Sequence, residues 1–317
     1  MKKLSAPMKN SLLFTTLTTL LVITACGSDD AWQQVDNTPE MFSFEGVWAF
    51  SPSDVWVVGS PALGQRAAAA HFDGQRWTAS EVGTAYLAGI WAFAPNDIWA
   101  VGGDLVARYD GTGWKTTSLG EQGARDLQDI WGSSPTDVWA VGENGVFHWD
   151  GSIWQQQAHG EASGIWGASA ENIWTVSTFD FKHYDGESWS TFELDLWGGN
   201  GDLWGFGADD VFLAADDEAL AHWDGTAWEE LRSDDVFGDL QTVWGSASDD
   251  MWAAGSFGEI ARWDGKTLRS VRRQAMGSPY LMLFKAIHGS SATDVWAVGG
   301  MLGAEGNKGV IYHFAGD

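Results

Sequence analysis

Acid–base catalysis is the first chemistry this chain could carry. Glu45, Asp129 and Asp202 each stand two or three residues ahead of a tryptophan (Trp48, Trp131, Trp204). Glycoside cleavage needs two carboxylates about 5–10 Å apart, so a carbohydrate-active enzyme is one reading of these three. The histidines argue differently. His71, His148, His183, His222 and His313 recur at one repeated slot. Equivalent slots in packed sheets lie about 10 Å apart, whereas ligands of one ion each need about 2 Å, so they cannot share a metal. The acid pairs Asp209-Asp210, Asp216-Asp217 and Asp249-Asp250 lack the alternation of a calcium loop and read as solvated turns. No nucleophile elbow, His-Glu-x-x-His or phosphate loop occurs, so no catalytic residue, metal ligand or cofactor is assigned. A net charge of −26 excludes nucleic acid as a partner, because phosphates call for clustered Lys and Arg.

What must position these residues is a repeat. An apolar residue and an aromatic form the first anchor, at Trp48, Trp91, Trp131, Trp166, Trp204 and Trp244, with His288 in seventh place. A second anchor follows eight residues on: Trp56, Trp99, Trp139, Trp174, Phe212, Trp252 and Trp296. The third is Phe72, Tyr109, Trp149, Tyr184, Trp223, Trp263 and Phe314, and Asp-Gly follows it in six repeats. The fourth lies five residues further: Trp77, Trp114, Trp154, Trp189, Trp228 and Leu268. A period of about 40 residues is that of four-stranded propeller blades. Runs such as Asp137-Val-Trp-Ala-Val-Gly are apolar at both parities, as in a sheet covered on both faces. Asp-Gly marks a hairpin, and Asp54, Asp97, Asp137, Asp210, Asp250 and Asp294 share a turn slot where Asp bonds its own backbone. The fold expected over residues 32–317 is all-β: a seven-bladed propeller of four-stranded antiparallel blades. The seventh repeat stops short of a fourth strand, and Trp32-Gln33-Gln34 copies Trp154-Gln155-Gln156. Residues 31–36 are therefore expected to add the outer strand of the last blade and close the ring, which also removes an exposed edge.

This grammar resembles the Asp-box-like (BNR-type) bacterial propellers, including the photosystem-assembly type, with their Gly-Trp-x-Val-Gly and Asp-Gly-x-x-Trp elements. An Asp-box sets its Asp five residues before Trp, while Asp150 precedes Trp154 by four. Sialidases share that broad family, but their arginine triad and nucleophilic tyrosine have no counterparts here; Tyr280 is the one tyrosine worth watching. The N-terminus carries a second resemblance. Lys2, Lys3 and Lys9 precede an apolar run from Ser11 to Thr24 that is too short to span a bilayer. It ends Ile23-Thr24-Ala25-Cys26, similar to a bacterial lipobox, and Cys26 is the chain's single cysteine. That resemblance implies a signal peptide at 1–25, acyl chains on Cys26 and a tether at 26–31. It also implies residence in the cell envelope, with the outer membrane favoured by Gly27 after the cysteine.

Loop lengths point to a contact surface. First-to-second and third-to-fourth anchor spacings are constant at eight and five, so one face of the ring is uniform. The other face varies, and its longest connections are Gly59–Ala69, Leu268–Phe284 and Gly299–Gly309, in adjoining blades 6, 7 and 1. Variable loops on a rigid frame are where ligands bind. Arg262, Lys266, Arg269, Arg272 and Arg273 gather in the same sector, joined by Tyr280, Lys285 and His288; Trp197 fits no slot and reads as a binding aromatic. The expected activity is non-enzymatic binding or assembly by an anchored monomer, with an envelope protein or glycan as partner. Fourth strands run from the constant to the variable face, so the tether is expected to leave from the constant face.

Overall fold

The second strand of each blade is apolar on both faces because both faces are covered. In the computed structural model, which describes residues 31–62, 67–83, 86–178, 181–192, 201–215, 219–303 and 306–316, Val138–Gly142 is buried without a break, as are its equivalents in blades 2 and 6. Fourth strands such as Trp114–Ser118 are largely exposed. Burial thus peaks at the second strand and falls towards the rim.

Seven four-stranded antiparallel sheets form the ring. Their inner strands are Met41–Ser51, Gly89–Ala94, Leu127–Ser134, Gly164–Ser169, Asp202–Gly207, Leu240–Ala247 and Leu281–Ser291 for blades 1 to 7. In six blades the order from axis to rim follows the chain. In the seventh, Leu281–Ser291, Asp294–Leu302 and Lys308–Ala315 are completed by Trp32–Gln34. Trp32 lies opposite Phe314 and Gln34 opposite Tyr312, so the chain's start closes the ring as expected.

One aromatic contact repeats at the seams. The second-anchor ring of each blade packs against the third and fourth anchors of the next. Trp99 meets Trp149 and Trp154, each with centroids 6.3 Å apart; Trp139 meets Tyr184 and Trp189; Trp296 meets Phe72 and Trp77 across the 7–1 seam. At the 6–7 seam Trp32 takes the fourth-anchor place, 5.4 Å from Trp252. It is 6% exposed, and truncating so buried a ring typically costs about 3–5 kcal/mol.

The opposite face of each second anchor is covered from within its own blade. His71, His148, His183, His222 and His313 stack on Trp56, Trp139, Trp174, Phe212 and Trp296 at 4.0–4.4 Å; Arg108 and Arg262 lie over Trp99 and Trp252. This corrects the expected role of the turn aspartates. Asp54, Asp97, Asp137, Asp210, Asp250 and Asp294 do not cap their own backbone; each accepts from its blade's His or Arg at 2.6–2.8 Å. Asp137 and Asp294 also accept from the indole N–H of Trp139 and Trp296. Burial pushes these two carboxyls up, but the histidine, serine and indole bonds outweigh it and hold them below their ordinary value. Backbone capping belongs instead to the Asp-Gly aspartates: Asp150 Oδ1 accepts from the N–H of Ser152 and Ile153. The following Gly151 sits at φ +91°, a conformation that favours glycine.

Blade 4 breaks the rule. Asn172 replaces the aspartate, and its Oδ1 and the Nε2 of His183 are buried without partners. Burial accordingly pushes His183 below its ordinary value. Asn172→Asp should give His183 the acceptor its counterparts have. A hydrogen bond of this kind contributes about 1 kcal/mol, or roughly 2 °C in Tm for a chain of this size. Thermal unfolding would show it; an unchanged or lowered Tm would contradict this account of the blade.

Candidate binding site

All seven inner strands start on the variable face and run towards the constant one. Together they enclose an axial cavity of about 200 Å³. Its inner end is stopped by first anchors. Trp48 stacks on His288 at 4.2 Å, Trp204 touches Trp244 and His288, and Trp91 reaches across the axis to Trp204 at 6.4 Å. The cavity is a funnel with an aromatic floor.

Four polar side chains enter its mouth by a shared device. The pairing of inner and second strands skips one residue in blades 1, 3, 6 and 7, leaving Glu45, Gln128, Gln241 and Lys285 as bulges. Bulges re-aim side chains, and all four residues line the funnel. Opposite each bulge stands a glycine: Gly59, Gly142, Gly255 or Gly299. A Cβ on Gly255 would come within 1.9 Å of the Asp239 carbonyl, and one on Gly299 within 2.0 Å of that of Leu283. Blades 4 and 5 have Ser177 and Ala215 in place of this glycine. Gln128 and Gln241 were missed in the sequence, although the glycine closing each Val-Gly or Ala-Gly run was the available signal.

The funnel does bring Glu45, Asp129 and Asp202 together. Asp129 accepts from the N–H of Ile130 and, across the seam, of Ile165. Asp202 accepts from the N–H of Leu203 and Val243 and from the Thr242 hydroxyl, which in turn accepts from the Ile287 N–H. Loss of water and the neighbouring Asp202 charge hold Asp129 well above the usual carboxylate range. Burial pushes Asp202 up to about 6. Both carboxyls are stitches between blades 3–4 and 5–6.

His288, expected among contact residues, sits inside the floor at 8% exposure, and its Nδ1 accepts from the Ala49 N–H at 3.1 Å. It locks blade 7 to blade 1. The cation cluster separates as well, because side chains along a strand and its turns reach different faces. Arg262 pairs with Asp250 within its blade, Arg269 pairs with Asp264 at a constant-face turn, and only Arg272 and Arg273 reach the variable end. Arg272 donates to the Gly258 carbonyl at 2.8 Å and lies 4.0 Å from the Tyr312 ring, a strut rather than an exposed cation. Arg273 is exposed; Tyr280 and Lys285 are half-buried. Trp197 and Cys26 lie outside the described residues.

The long connections of the sector are partly strand. Inner strands of blades 1 and 7 run eleven residues against six to eight elsewhere, and the second and third strands of blade 7 run nine and eight. They rise as a wall on the variable face. Of eight exposed large apolar residues among those described, six are here: Phe42, Phe237, Phe257, Met276, Leu281 and Leu302. Phe257 adopts φ +58°, unusual for a bulky residue, and meets Phe237 at 5.4 Å. Arg272, the Gln274 N–H on the Phe257 carbonyl and the Gly258 N–H on the Met282 carbonyl hold that loop.

Fold and site together define a closed seven-bladed β-propeller with a blind axial funnel and a raised apolar wall. The chain is similar to the solved structure of YCF48 bound to D1 peptide (16% identity, TM-score 0.69, 90% of this chain and 97% of that one). It is similar also to YCF48 from Cyanidioschyzon merolae (15%, TM-score 0.67, 90% and 98%) and to the WD40 propeller domain of Doa1 (10%, TM-score 0.66, 88% and 96%). At such identities the likeness shows the fold. No protein-family model and no curated protein matches the chain.

Burial pushes His288 down to about 3, so it stays neutral in the fold, whereas an unfolded histidine takes a proton near 6.5. Its stabilisation is full above pH 6.5 and is lost below it, by about 1.4 kcal/mol per unit. Asp202 acts oppositely, since its folded value lies above the ordinary 3.8 and stability returns as pH falls from 6. His288→Gln keeps an acceptor without titrating. Denaturant unfolding of both proteins should show the wild type losing about 2 kcal/mol relative to the variant between pH 7 and 5; parallel pH profiles would refute this role.

Proposed function

We propose that the chain is a lipid-anchored, non-enzymatic binding propeller of the bacterial envelope, and that its variable face over blades 6, 7 and 1 holds an apolar segment of a protein partner. The concentration of exposed apolar side chains on that wall carries this reading, because soluble surfaces seldom gather so many in one sector without a partner. A protein is preferred over a glycan because a similar propeller was solved with a bound peptide. Pre-ordering of Phe257 favours tight contact, as little freedom is left to lose. Acylation of Cys26 would supply the anchor. Trp32 pairs with the constant-face end of Lys308–Ala315, which supports an orientation in which an anchor at Cys26 would leave the wall facing away from the membrane.

Photo-crosslinking in intact cells tests the contact face. A probe at position 257 or 281 should capture a protein that a probe at constant-face Ile153 does not, and Phe237→Ser with Phe257→Ser should cut capture at least tenfold with Tm retained. Equal capture from Ile153, or glycan-array binding untouched by these changes, would overturn the reading. Cys26→Ala should move the protein from the membrane fraction to the soluble envelope fraction; persistence in the membrane would remove the anchor.

A further inference from the structure

The funnel mouth holds two opposite charges that form no direct ion pair with one another. Glu45 and Lys285 occupy the same bulge in adjoining blades 1 and 7. Among the described residues no ion pair includes either; the Lys285 ammonium donates to the Gln241 amide oxygen at 3.3 Å. Both are half-buried, so each gives up part of its hydration without a direct ion pair in return. The other two carboxyls of the cavity, Asp129 and Asp202, are turned to backbone N–H groups of the next blade, which leaves Glu45 and Lys285 as the pair facing an entering molecule.

Ligand class follows by elimination. A neutral sugar would cover both charges and compensate neither. A simple cation would meet Lys285 as a like charge, and a simple anion would meet Glu45 as one. A molecule bearing ammonium and carboxylate matches both. The size agrees, since about 200 Å³ falls below the roughly 300–1,000 Å³ of drug-sized pockets. Indole rings in the floor favour a cation above them.

We propose that the axial funnel is a site for a small zwitterion of free amino-acid size, with Lys285 and Gln241 at its carboxylate and Glu45 at its ammonium. The site is separate from the apolar wall and does not depend on a protein partner being held there.

Isothermal titration of the full-length protein in detergent tests it, with glycine and L-alanine as probes. N-acetylglycine offers the carboxylate alone, glycinamide the ammonium alone, and glucose neither. Saturable binding of the zwitterions is expected, at least tenfold tighter than any control. Lys285→Met and Glu45→Gln should each weaken it at least tenfold while keeping wild-type Tm, and the Phe237→Ser, Phe257→Ser variant should bind as the wild type does. Absence of binding at millimolar glycine and alanine, controls binding as well as zwitterions, or wild-type affinity in both charge variants would overturn the proposal. None of these results bears on crosslinking from position 257, so the two ideas fail separately.

Discussion

The structure depends on how one aromatic ring per blade is enclosed. The second anchor has a histidine or arginine of its own blade on one face and the third and fourth anchors of the next blade beyond it, both aromatic except at the 5–6 seam, where Leu268 holds the fourth place. One side chain thereby joins in-blade packing to between-blade packing, and the Asp that holds the histidine fixes its height along the seam. A contact of this kind has to recur around the whole circle, because each blade is covered only by its neighbours. That explains why tryptophan, the largest ring with a polar handle, is used so heavily.

Against this repetition, the two features that could bind something are local departures. The bulges add one residue at the axis without disturbing the second and third strands, so polar groups reach the funnel while the seam stays unchanged. Longer strands in blades 1 and 7 do the same above the variable face. Both lie at the start of the inner strands, far along the chain from the Asp-Gly hairpins. Uniform turns on one face and variable connections on the other separate a face that maintains the ring from one free to differ.

Much of this was legible in the sequence because the anchors are large and evenly spaced. Blade number, strand order and the closing role of Trp32 followed from counting. The partner of Asp137 did not: an aspartate ahead of a strand caps its own turn in most settings, and only the third strand, brought alongside, supplies His148 at 2.6 Å. The basic run from Arg262 to Arg273 looked like one patch because the chain is linear; a hairpin and a strand spread it over two faces. His288 looked like a contact residue because it replaces a tryptophan anchor, and it is a buried member of the floor. Gln128 and Gln241 gave no pattern of their own, since a bulge is a property of two strands and its mark lay on the opposite glycine.

The short strand Trp32–Gln34 has a mechanical consequence. It runs antiparallel to Lys308–Ala315 from the constant-face end, held by three facing pairs and by the Val35 N–H on the Ile311 carbonyl at 2.9 Å. Tension applied ahead of Ala31 therefore acts along the strand axis and loads these bonds in shear, all at once, instead of peeling them one by one. The buried indole of Trp32 then works as a toggle behind the seam, and the same few residues that complete the circle also set the force at which it opens.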